Sequence, residues 1–453
     1  MPENNFDVIV VGMGPGGDFM AGRLAEAGLS VLGVDAHLVG GECPYYGCIP
    51  SKMMIRAGNA LAEARRVPAL AGSAQVSADY TPVSRRIRDE ATTNWDDQIA
   101  VDRFESKGGR FVRGRARLTG PRTIRVGDQE FTASRAIVLN TGTSPVVPPV
   151  PGLAETPFWT NRDAVRAEAA PASLVVLGGG AIGVEMAQAF ARFGSKVDVV
   201  ERADRLLALE EPEASQVVAD VLRAEGLGVH TSAGVEAVSH SGSEFTVRLP
   251  TGSLRAEHLL VATGRTAHLA ELGLDTVGVD GGQRFVPTDR RMRVVDGVYA
   301  IGDITGKGAF THMSMYHAGI VERDILGEDP DFTAEHHAVP RVTFTDPEVG
   351  AVGLTEAQAR EAGLDVRTSV TPMSATTRGW IHGPGGDGLI KLVEDAVAGV
   401  LVGATSVGPN GGEVLSALTV AVHARVPTNR LRRTIFAYPT FHRGLETAVA
   451  ELH

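Results

Sequence analysis

Residues 8–17 read Val8-Ile-Val-Val-Gly12-Met-Gly14-Pro-Gly-Gly17, an apolar run followed directly by a glycine-rich turn. An amphipathic segment continues to about Ala27, and a second apolar run, Ser30–Asp35, ends in an acid. Strand, tight turn, helix, strand and terminal acid in this order predict the first βαβ unit of a dinucleotide-binding domain. Gly12 makes the turn, Gly14 admits a pyrophosphate, and Gly17 lets helix and strand pack closely.

The same plan recurs later in the chain, as Leu174-Val-Val-Leu-Gly178-Gly-Gly180-Ala-Ile-Gly183, a helix to about Phe193 and the run Lys196–Glu201. One glycine pattern of this kind is a weak signal, but two in the same context indicate two dinucleotide sites. Each pyrophosphate would lie on the free N–H groups of a helix N-terminus. We interpret the pair as sites for FAD and for a nicotinamide dinucleotide.

Composition and charge exclude several classes of protein. The chain has 453 residues, a formal net charge of −11 and no block of five or six like charges, which disfavours a nucleic-acid or anionic-membrane partner. No apolar run reaches the roughly 18 residues needed to span a bilayer. The polar lead before Phe6 does not resemble a signal peptide, so we expect a cytoplasmic protein.

The two cysteines lie in Gly40-Gly-Glu-Cys43-Pro-Tyr-Tyr-Gly-Cys48-Ile-Pro-Ser-Lys52. A disulfide framework needs more cysteines, and a zinc site needs further ligands nearby, so we predict no metal site. Pro44 suits a first helical position, which would place both thiols on one helical face about one turn apart. The helix N-terminus and Lys52 should lower a thiol pKa, as in a catalytic dithiol.

This stretch resembles the active-site signature of the class I pyridine nucleotide–disulfide oxidoreductases, a family that includes dihydrolipoamide dehydrogenase, glutathione reductase, mycothione reductase and mercuric reductase. Further matches extend over essentially the whole chain, at Thr141–Pro145, Val261–Arg265, Tyr299–Asp303, Phe344–Gly353 and Tyr438–Thr440. The resemblance implies an α/β fold with two Rossmann-like dinucleotide-binding domains plus a C-terminal α+β dimerisation domain. Its segments would be an FAD-binding part at 1–150, an NAD(P)-binding domain at 151–270, a completion of the FAD domain at 271–338 and the dimerisation (interface) domain at 339–453.

The pattern of residues also predicts the elements of the C-terminal domain. We expect strands at Ala338–Phe344, Leu389–Val393 and Val400–Thr405, followed by helices at Gly411–His423 and Arg443–Leu452.

The resemblance implies a role for each matching residue. Cys43 would face the substrate as the interchange thiol, and Cys48 would lie against the flavin. Lys52 would lie near flavin N5 and pair with Glu185, although an ordinary surface pair is the alternative. The cofactor-binding residues would be Gly12, Gly14, Gly17, Asp35, Gly114, Thr141, Gly142, Thr143, Asp303, Gly178, Gly180, Gly183, Glu201 and Gly264. Asp35 stands where glutamate is more usual, and Gly114 is alternatively a simple turn at a strand end.

Glu201 bears on the choice of nicotinamide dinucleotide. A carboxylate there accepts from a 2′-hydroxyl and repels a 2′-phosphate, which favours NADH. Arg202 and Arg205 follow it, so NADPH is the alternative.

The C-terminal motif departs from the family pattern. The family's disulfide reductases end in His-Pro-Thr-x-x-Glu, whose histidine serves the partner subunit as acid–base, whereas this chain has Tyr438 at the His position and Arg443 at the Glu position. A phenol with an ordinary pKa near 10 is a poor base at neutral pH. His442 is a second candidate acid–base, and a plain surface or interface histidine is its alternative. Within this family, mercuric reductase needs an additional C-terminal cysteine pair. No cysteine follows Cys48 here, so mercury is not the expected substrate.

A second departure is the pair Tyr45-Tyr46 between the cysteines, whose rings would narrow the disulfide's surroundings, stack on a flat substrate or simply fill the core.

The leading interpretation is an FAD-dependent NAD(P)H:disulfide oxidoreductase that resembles dihydrolipoamide dehydrogenase. Electrons would pass from NAD(P)H through FAD to the Cys43–Cys48 disulfide and on to a small-molecule or protein disulfide, or run in reverse from a dithiol. We expect a homodimer with sites completed across the interface. One alternative is a flavin-dependent reductase of a quinone, a metal or a small metabolite, which needs no histidine at Tyr438. Another is a flavin-binding sensor with negligible turnover.

Overall fold

The computed structural model describes residues 4–453, and their contacts divide the chain into two units. The first unit contains the residues up to Pro50 together with Arg86–Pro145 and Arg265–His336. The second contains Ser51–Arg85, Val146–Gly264 and His337–His453. The domain boundaries at 150, 270 and 338 stay a prediction.

The strands in chain order are β1 (Asn5–Val11), β2 (Val31–Asp35), β3 (Arg110–Arg113), β4 (Ala116–Gly120), β5 (Thr123–Val126), β6 (Gln129–Leu139), β7 (Ser144–Pro145), β8 (Ser173–Leu177), β9 (Lys196–Val200), β10 (Gly228–His230), β11 (Ala237–Ser241), β12 (Glu244–Leu249), β13 (Gly252–Ala256), β14 (His258–Val261), β15 (Arg265–Thr266), β16 (Arg293–Val295), β17 (Val298–Ala300), β18 (Pro340–Thr343), β19 (Glu348–Gly353), β20 (Val366–Pro372), β21 (Leu389–Asp395) and β22 (Val400–Gly408).

The α-helices in chain order are α1 (Pro15–Glu26), α2 (Glu42–Tyr45), α3 (Cys48–Leu70), α4 (Thr81–Arg85), α5 (Gln98–Ser106), α6 (Asn161–Ala164), α7 (Ala181–Arg192), α8 (Pro212–Ala224), α9 (Thr311–Leu326), α10 (Glu356–Glu361), α11 (Thr377–His382), α12 (Gly411–His423), α13 (Thr428–Leu431) and α14 (Gly444–Ala450). A π-helical turn at Arg86–Ala91 follows α4.

An eight-stranded sheet forms the centre of the first unit, with the main strand order β16-β17-β6-β1-β2-β3 and β4 and β5 continuing from β6. The consecutive strands β6, β1, β2 and β3 are parallel, with β3 at the edge of the sheet. Alternate residues of β1 enter different cores, because successive side chains of a strand point to opposite faces. Val8 and Val10 pack with Met20 and Leu24 of α1, whereas Ile9 belongs to the opposite core. This is the predicted dinucleotide-binding arrangement.

The second unit contains three further sheets. A parallel sheet of order β10-β9-β8-β14 carries the second βαβ unit, and an antiparallel sheet of order β11-β12-β13 shares a buried core with it. A five-stranded antiparallel sheet of order β18-β19-β22-β21-β20 lies in the C-terminal part and is covered by α12 and α14. Strands followed by helices on an antiparallel sheet give the predicted α+β domain.

The structure confirms the predicted fold class and shifts several element ends. The helix predicted at Gly411–His423 has those bounds, while the strand predicted at Ala338–Phe344 is shorter and begins at Pro340. The strands predicted at Leu389–Val393 and Val400–Thr405 are longer, ending at Asp395 and Gly408. The last helix begins at Gly444, because a 3-10 turn, Phe441–Arg443, precedes it. Between residues 4 and 453, no helix is both long and apolar enough to cross a bilayer.

Candidate active site

The turn after β1 and the start of α1 have no room for a side chain at several glycine positions. Gly12 has φ +97°, and a Cβ on it would collide with the backbone carbonyl of Asn140. A Cβ on Gly17 would collide with the carbonyl of Gly12. Asn140 Nδ2 donates to that carbonyl at 3.0 Å and closes the turn. The first N–H groups of α1 therefore remain available to an anion, as a pyrophosphate requires.

Asp35 ends β2 and fixes the same turn. Its Oδ2 accepts from the Met13 N–H and its Oδ1 from the His37 N–H, both at 2.7 Å. Burial raises the pKa of this carboxyl, against the two backbone hydrogen bonds. Gly114 follows β3, and its N–H donates to the Asp35 carbonyl at 2.8 Å. Asp35 and Gly114 thus lie together at the carboxyl ends of neighbouring parallel strands, where open α/β sheets bind ligands.

A polar chain links the segment after β6 to Asp303. Thr143 Oγ1 donates to Asp303 Oδ2 at 2.9 Å and accepts from Arg265 Nε at 2.8 Å. Burial raises the pKa of Asp303, against the Thr143 hydrogen bond. Thr141 and Gly142, with Gly142 at φ +65°, lead into this chain. Sequence reasoning named Thr143 and Asp303 but not Arg265 as their partner, although Arg265 stands in one of the family motifs.

The second fingerprint repeats the geometry of the first. Gly178 has φ +111°, and a Cβ on it would collide with the Ala262 carbonyl, while one on Gly183 would collide with the Gly178 carbonyl. Gly180 is the residue before α7. Glu201 accepts from the Gly179 N–H at 2.6 Å and from the Ala203 N–H at 2.7 Å. Its carboxylate is therefore held at the glycine turn, as the acid of a dinucleotide site must be.

Gly264 lies on the loop that follows β14, and a backbone hydrogen bond joins this loop to Val146. Gly264 has φ +124°, and its carbonyl accepts from the Val146 N–H at 2.9 Å.

The two cysteines lie on separate helical segments, not on one. Cys43 belongs to the short α2, whose first residue is Glu42, and Cys48 is the first residue of α3. The prediction of Pro44 as the first helical residue is therefore wrong by two positions. Pro44 remains compatible with the helix, because the first four N–H groups of a helix have no intrahelical partner. The break between the segments falls at Gly47, which packs against the Glu42 carbonyl.

The two thiols are neighbours in the first unit. A hydrogen bond to Cys48 and then burial raise the pKa of Cys43, so the predicted lowering of a thiol pKa is wrong for this cysteine. Cys48 Sγ lies 3.3 Å from Thr311 Oγ1, at the start of α9.

The predicted partners Lys52 and Glu185 form an ion pair in the second unit. Lys52 Nζ lies 2.8 Å from Glu185 Oε2, and Glu185 Oε1 accepts from the Phe344 N–H at 2.8 Å. The Lys52 ammonium also lies 4.6 Å from the centroid of the Phe344 ring. Phe344 begins one of the family motifs, but its contact with both members of the pair could not be predicted from the sequence.

The segment after Phe344 is tied to α7. Gln188 Oε1 accepts from the Asp346 N–H, and Gln188 Nε2 donates to the Asp346 carbonyl, both at 2.8 Å. Arg192 is 3% exposed and its side chain bonds Asp346 Oδ2 at 2.8 Å. A buried ion pair of this kind is costly to break from one side, so this segment is held firmly.

The C-terminal motif lies on an exposed stretch before α14. Tyr438 is 68% exposed and is joined to Pro439 by a cis peptide bond. His442 lies in the following 3-10 turn, half-buried, and Arg443 pairs with Glu446 on α14.

The glycine turn between β1 and α1 fits FAD. The backbone N–H groups at the start of α1 are the donors that a dinucleotide site requires. The cradle lacks Cβ atoms where a pyrophosphate would approach, and buried acids lie at Asp35 and Asp303. Gly12, Gly14, Gly17, Asp35 and the Thr143–Asp303 chain would hold it. When bound, FAD accepts a hydride from NAD(P)H and passes an electron pair to a disulfide.

Two family models match the chain. The pyridine nucleotide-disulphide oxidoreductase model matches residues 6–318. The dimerisation domain model of the same family matches residues 339–449. Together they extend over both dinucleotide fingerprints and the C-terminal α+β domain.

Curated relatives and solved structures agree with this assignment. A mercuric reductase of Staphylococcus aureus is 32% identical over 98% of this chain and 82% of its own length. A dihydrolipoyl dehydrogenase of Thermus scotoductus is 34% identical over 99% and 97%. The HOCl-induced flavoprotein disulfide reductase RclA of Escherichia coli, solved as a Cu(II) complex, matches with a TM-score of 0.86 at 28% identity, over 99% of both chains.

These matches confirm the family, the cofactors and the disulfide chemistry that the motifs predicted, and they do not favour a non-disulfide acceptor. The chain belongs to the pyridine nucleotide-disulphide oxidoreductase family and is an FAD-dependent NAD(P)H oxidoreductase that acts on disulfides.

Proposed function

We propose that Cys43 and Cys48 are the redox-active pair of this enzyme and that it uses NADH to reduce a small-molecule or protein disulfide. The observation that carries the proposal is the placement of the two cysteines on either side of the helix break at Gly47 in the first unit, with Cys48 Sγ 3.3 Å from Thr311 Oγ1. Adjacent thiols can close to a disulfide with little movement of the backbone.

The chemistry on the two sulfurs is an exchange of bonds. The Cys43 thiolate attacks one sulfur of the substrate disulfide, forms a mixed disulfide and releases the first substrate thiol. The Cys48 thiolate then attacks Cys43 Sγ, closes the protein disulfide and releases the second thiol. Each cycle consumes one NADH and one proton, reduces one disulfide and leaves two thiols.

Lys52 and Glu185 support the electron-transfer side of the site. Glu185 holds the Lys52 ammonium in one orientation, and the Phe344 ring covers that cation. A cation fixed in this way provides positive charge where negative charge develops during reduction, without reorganisation at that moment.

Tyr438 is the proposed proton donor to the departing substrate thiol. It stands at the family's histidine position and exposes its phenol on the dimerisation domain. We place it against the partner's cysteine pair in a homodimer, with His442 as the second candidate. The NADH preference rests on the Glu201 carboxylate at the second glycine turn. The cytoplasmic location stays a prediction.

Thiol counting tests the proposal. The oxidised enzyme should show no reactive thiol, and one equivalent of NADH under anaerobic conditions should release two per chain. Cys48→Ser should accept electrons into FAD yet show no increase in thiols, because its single Cys43 cannot form the internal disulfide. Flavin reduction in the wild type with an unchanged thiol count would contradict the proposal and direct attention to quinone, metal or metabolite acceptors.

A further inference from the structure

The segment Thr92–Asp97 has an unusual backbone. Three consecutive non-glycine residues, Thr93, Asn94 and Trp95, have positive φ values of +49°, +54° and +58°. Left-handed backbone is unfavourable for residues with a side chain, and here it follows directly on the π-helical turn at Arg86–Ala91. Such conformations persist only where surrounding contacts enforce them, and they cluster at functional sites.

Two hydroxyl contacts and a backbone bond enforce this conformation. Thr92 is 1% exposed, and its Oγ1 donates to the Arg88 carbonyl at 3.1 Å and accepts from the Trp95 N–H at 3.3 Å. The Asn94 N–H also donates to the Arg88 carbonyl, at 2.6 Å. The left-handed run thereby sets the direction of the Trp95 side chain.

The strained segment contacts residues 39–48, the stretch that leads into and contains the two cysteines and is here called the cysteine loop, at two places. Trp95 Nε1 donates to the Tyr45 carbonyl at 3.1 Å, and Tyr45 stands between Cys43 and Cys48. Asp97 Oδ2 accepts from the N–H of Val39, at the entry to the loop, at 2.5 Å. One short segment therefore holds both the entry to the loop and its middle, within the same unit.

We propose that Trp95 is a positioning residue that sets the dithiol–disulfide equilibrium of Cys43 and Cys48. The inference rests on the proposed function, in which these cysteines interconvert between the two states. A loop held at the Tyr45 carbonyl keeps the thiols adjacent, so closing the disulfide loses little conformational freedom. Without the indole N–H, the dithiol loop gains freedom, and the equilibrium moves toward the dithiol.

The test is a redox titration of the FAD-loaded enzyme in buffers of reduced and oxidised dithiothreitol. Two electrons and two protons convert the protein disulfide to the dithiol, and dithiothreitol closes to its own cyclic disulfide. Acid quenching, thiol alkylation and mass measurement give the disulfide fraction without relying on turnover. Trp95→Phe keeps an aromatic ring and removes the donor, and Trp159→Phe, far along the chain, is the matched control.

We expect the equilibrium constant for disulfide formation to fall roughly three- to tenfold in Trp95→Phe, the range for one hydrogen bond. Trp159→Phe should match the wild type. Thr92→Val leaves the indole in place but removes the two hydroxyl contacts, and should shift the equilibrium in the same direction by less. Thr92→Val therefore tests the inference even if Trp95→Phe does not fold.

The outcomes separate this inference from the proposed function. A wild type that forms no Cys43–Cys48 disulfide at any buffer ratio overturns the proposed function itself. A wild type that titrates normally, with Trp95→Phe unchanged or shifted toward the disulfide, overturns only the role of Trp95.

Discussion

Lys52 Nζ lies 2.8 Å from Glu185 Oε2, and the two residues, both in the second unit, come from different helices, α3 and α7. The side chain of Glu185 is 6% exposed and that of Lys52 is 34% exposed. Glu185 is thus withdrawn from water, and an unpaired charge buried in this way is costly. Phe344 binds both partners, so the ammonium has one well-defined position.

Glu185→Gln should slow the reductive half-reaction. The amide keeps an acceptor for the Phe344 N–H but removes the charge that orients Lys52. We expect the rate of flavin reduction by NADH to fall about tenfold or more, the effect of losing a charge-assisted hydrogen bond of about 1.5–3 kcal/mol. Anaerobic stopped-flow absorbance measures this rate directly.

Glu90→Gln is the matched control for that measurement, because Glu90 is an exposed partner of Arg86. It should leave the rate unchanged. An equal rate in Glu185→Gln and the wild type would show that the ion pair is structural only.

Tyr438→Phe should separate the two half-reactions. Removing the hydroxyl takes away the proposed proton donor but leaves the dinucleotide sites intact. Flavin reduction by NADH should stay within about twofold, while steady-state disulfide reduction falls about 100-fold or more, the usual range for acid–base catalysis. His442→Asn is the companion variant. If it alone loses disulfide turnover, the proton role belongs to His442 instead.

Glu201→Gln should weaken the preference for NADH over NADPH. The two N–H groups of Gly179 and Ala203 bond to different carboxylate oxygens, so the amide, which has one acceptor oxygen, keeps one of these bonds and loses the other. The charge that repels a 2′-phosphate is lost. The ratio of kcat/KM for NADH to that for NADPH should fall about tenfold, equivalent to about 1.4 kcal/mol. Glu236→Gln, at an exposed acid paired with Arg248, should keep the wild-type ratio.

His317 makes the first unit sensitive to acid. It is fully buried on α9, its Nδ1 accepts from the Gly302 N–H, and its Nε2 lies 2.9 Å from His336 Nε2. Burial, with smaller contributions from His336 and Lys307, lowers the pKa of His317 to about 3. The unfolded chain therefore takes up a proton below about pH 6.5 that the folded chain does not.

This difference should cost about 1–2 kcal/mol of stability between pH 7 and pH 5, and the loss should continue as the pH falls further. His317→Gln should lose less stability over that interval than the wild type in denaturant titrations at the two pH values. His268→Gln replaces an exposed histidine and should behave like the wild type. Equal losses in all three proteins would contradict the assignment to His317.

Local patterns account for the part of the fold that the sequence predicted. The glycine turns at Gly12 and Gly178 are dictated by backbone space, and the helix Gly411–His423 by its apolar periodicity, so both could be read directly. The break at Gly47 was missed because the two cysteines were expected on one face of a single helix, whereas five positions along a continuous helix turn a side chain by about 140° beyond one full turn. The choice depends on how the loop packs against Glu42.

Contacts between distant residues could not be predicted in the same way. Phe344 reaches Lys52, and Trp95 reaches Tyr45, only because sheet order and helix packing bring their segments together. No local sequence pattern around Phe344 or Trp95 indicates these contacts. The family motifs were a better guide to the pair Lys52–Glu185, whose contact the structure shows, while its catalytic role stays a prediction.

An anaerobic NADH titration followed by absorbance tests the central claim that Cys43 and Cys48 exchange electrons with FAD. The disulfide is a two-electron couple, so it should take up about one equivalent of NADH before the flavin is bleached. We predict a long-wavelength band from the Cys48 thiolate against the flavin during that first equivalent, and its loss in Cys48→Ser. Bleaching of the flavin from the first addition, with no such band in the wild type, would contradict the account.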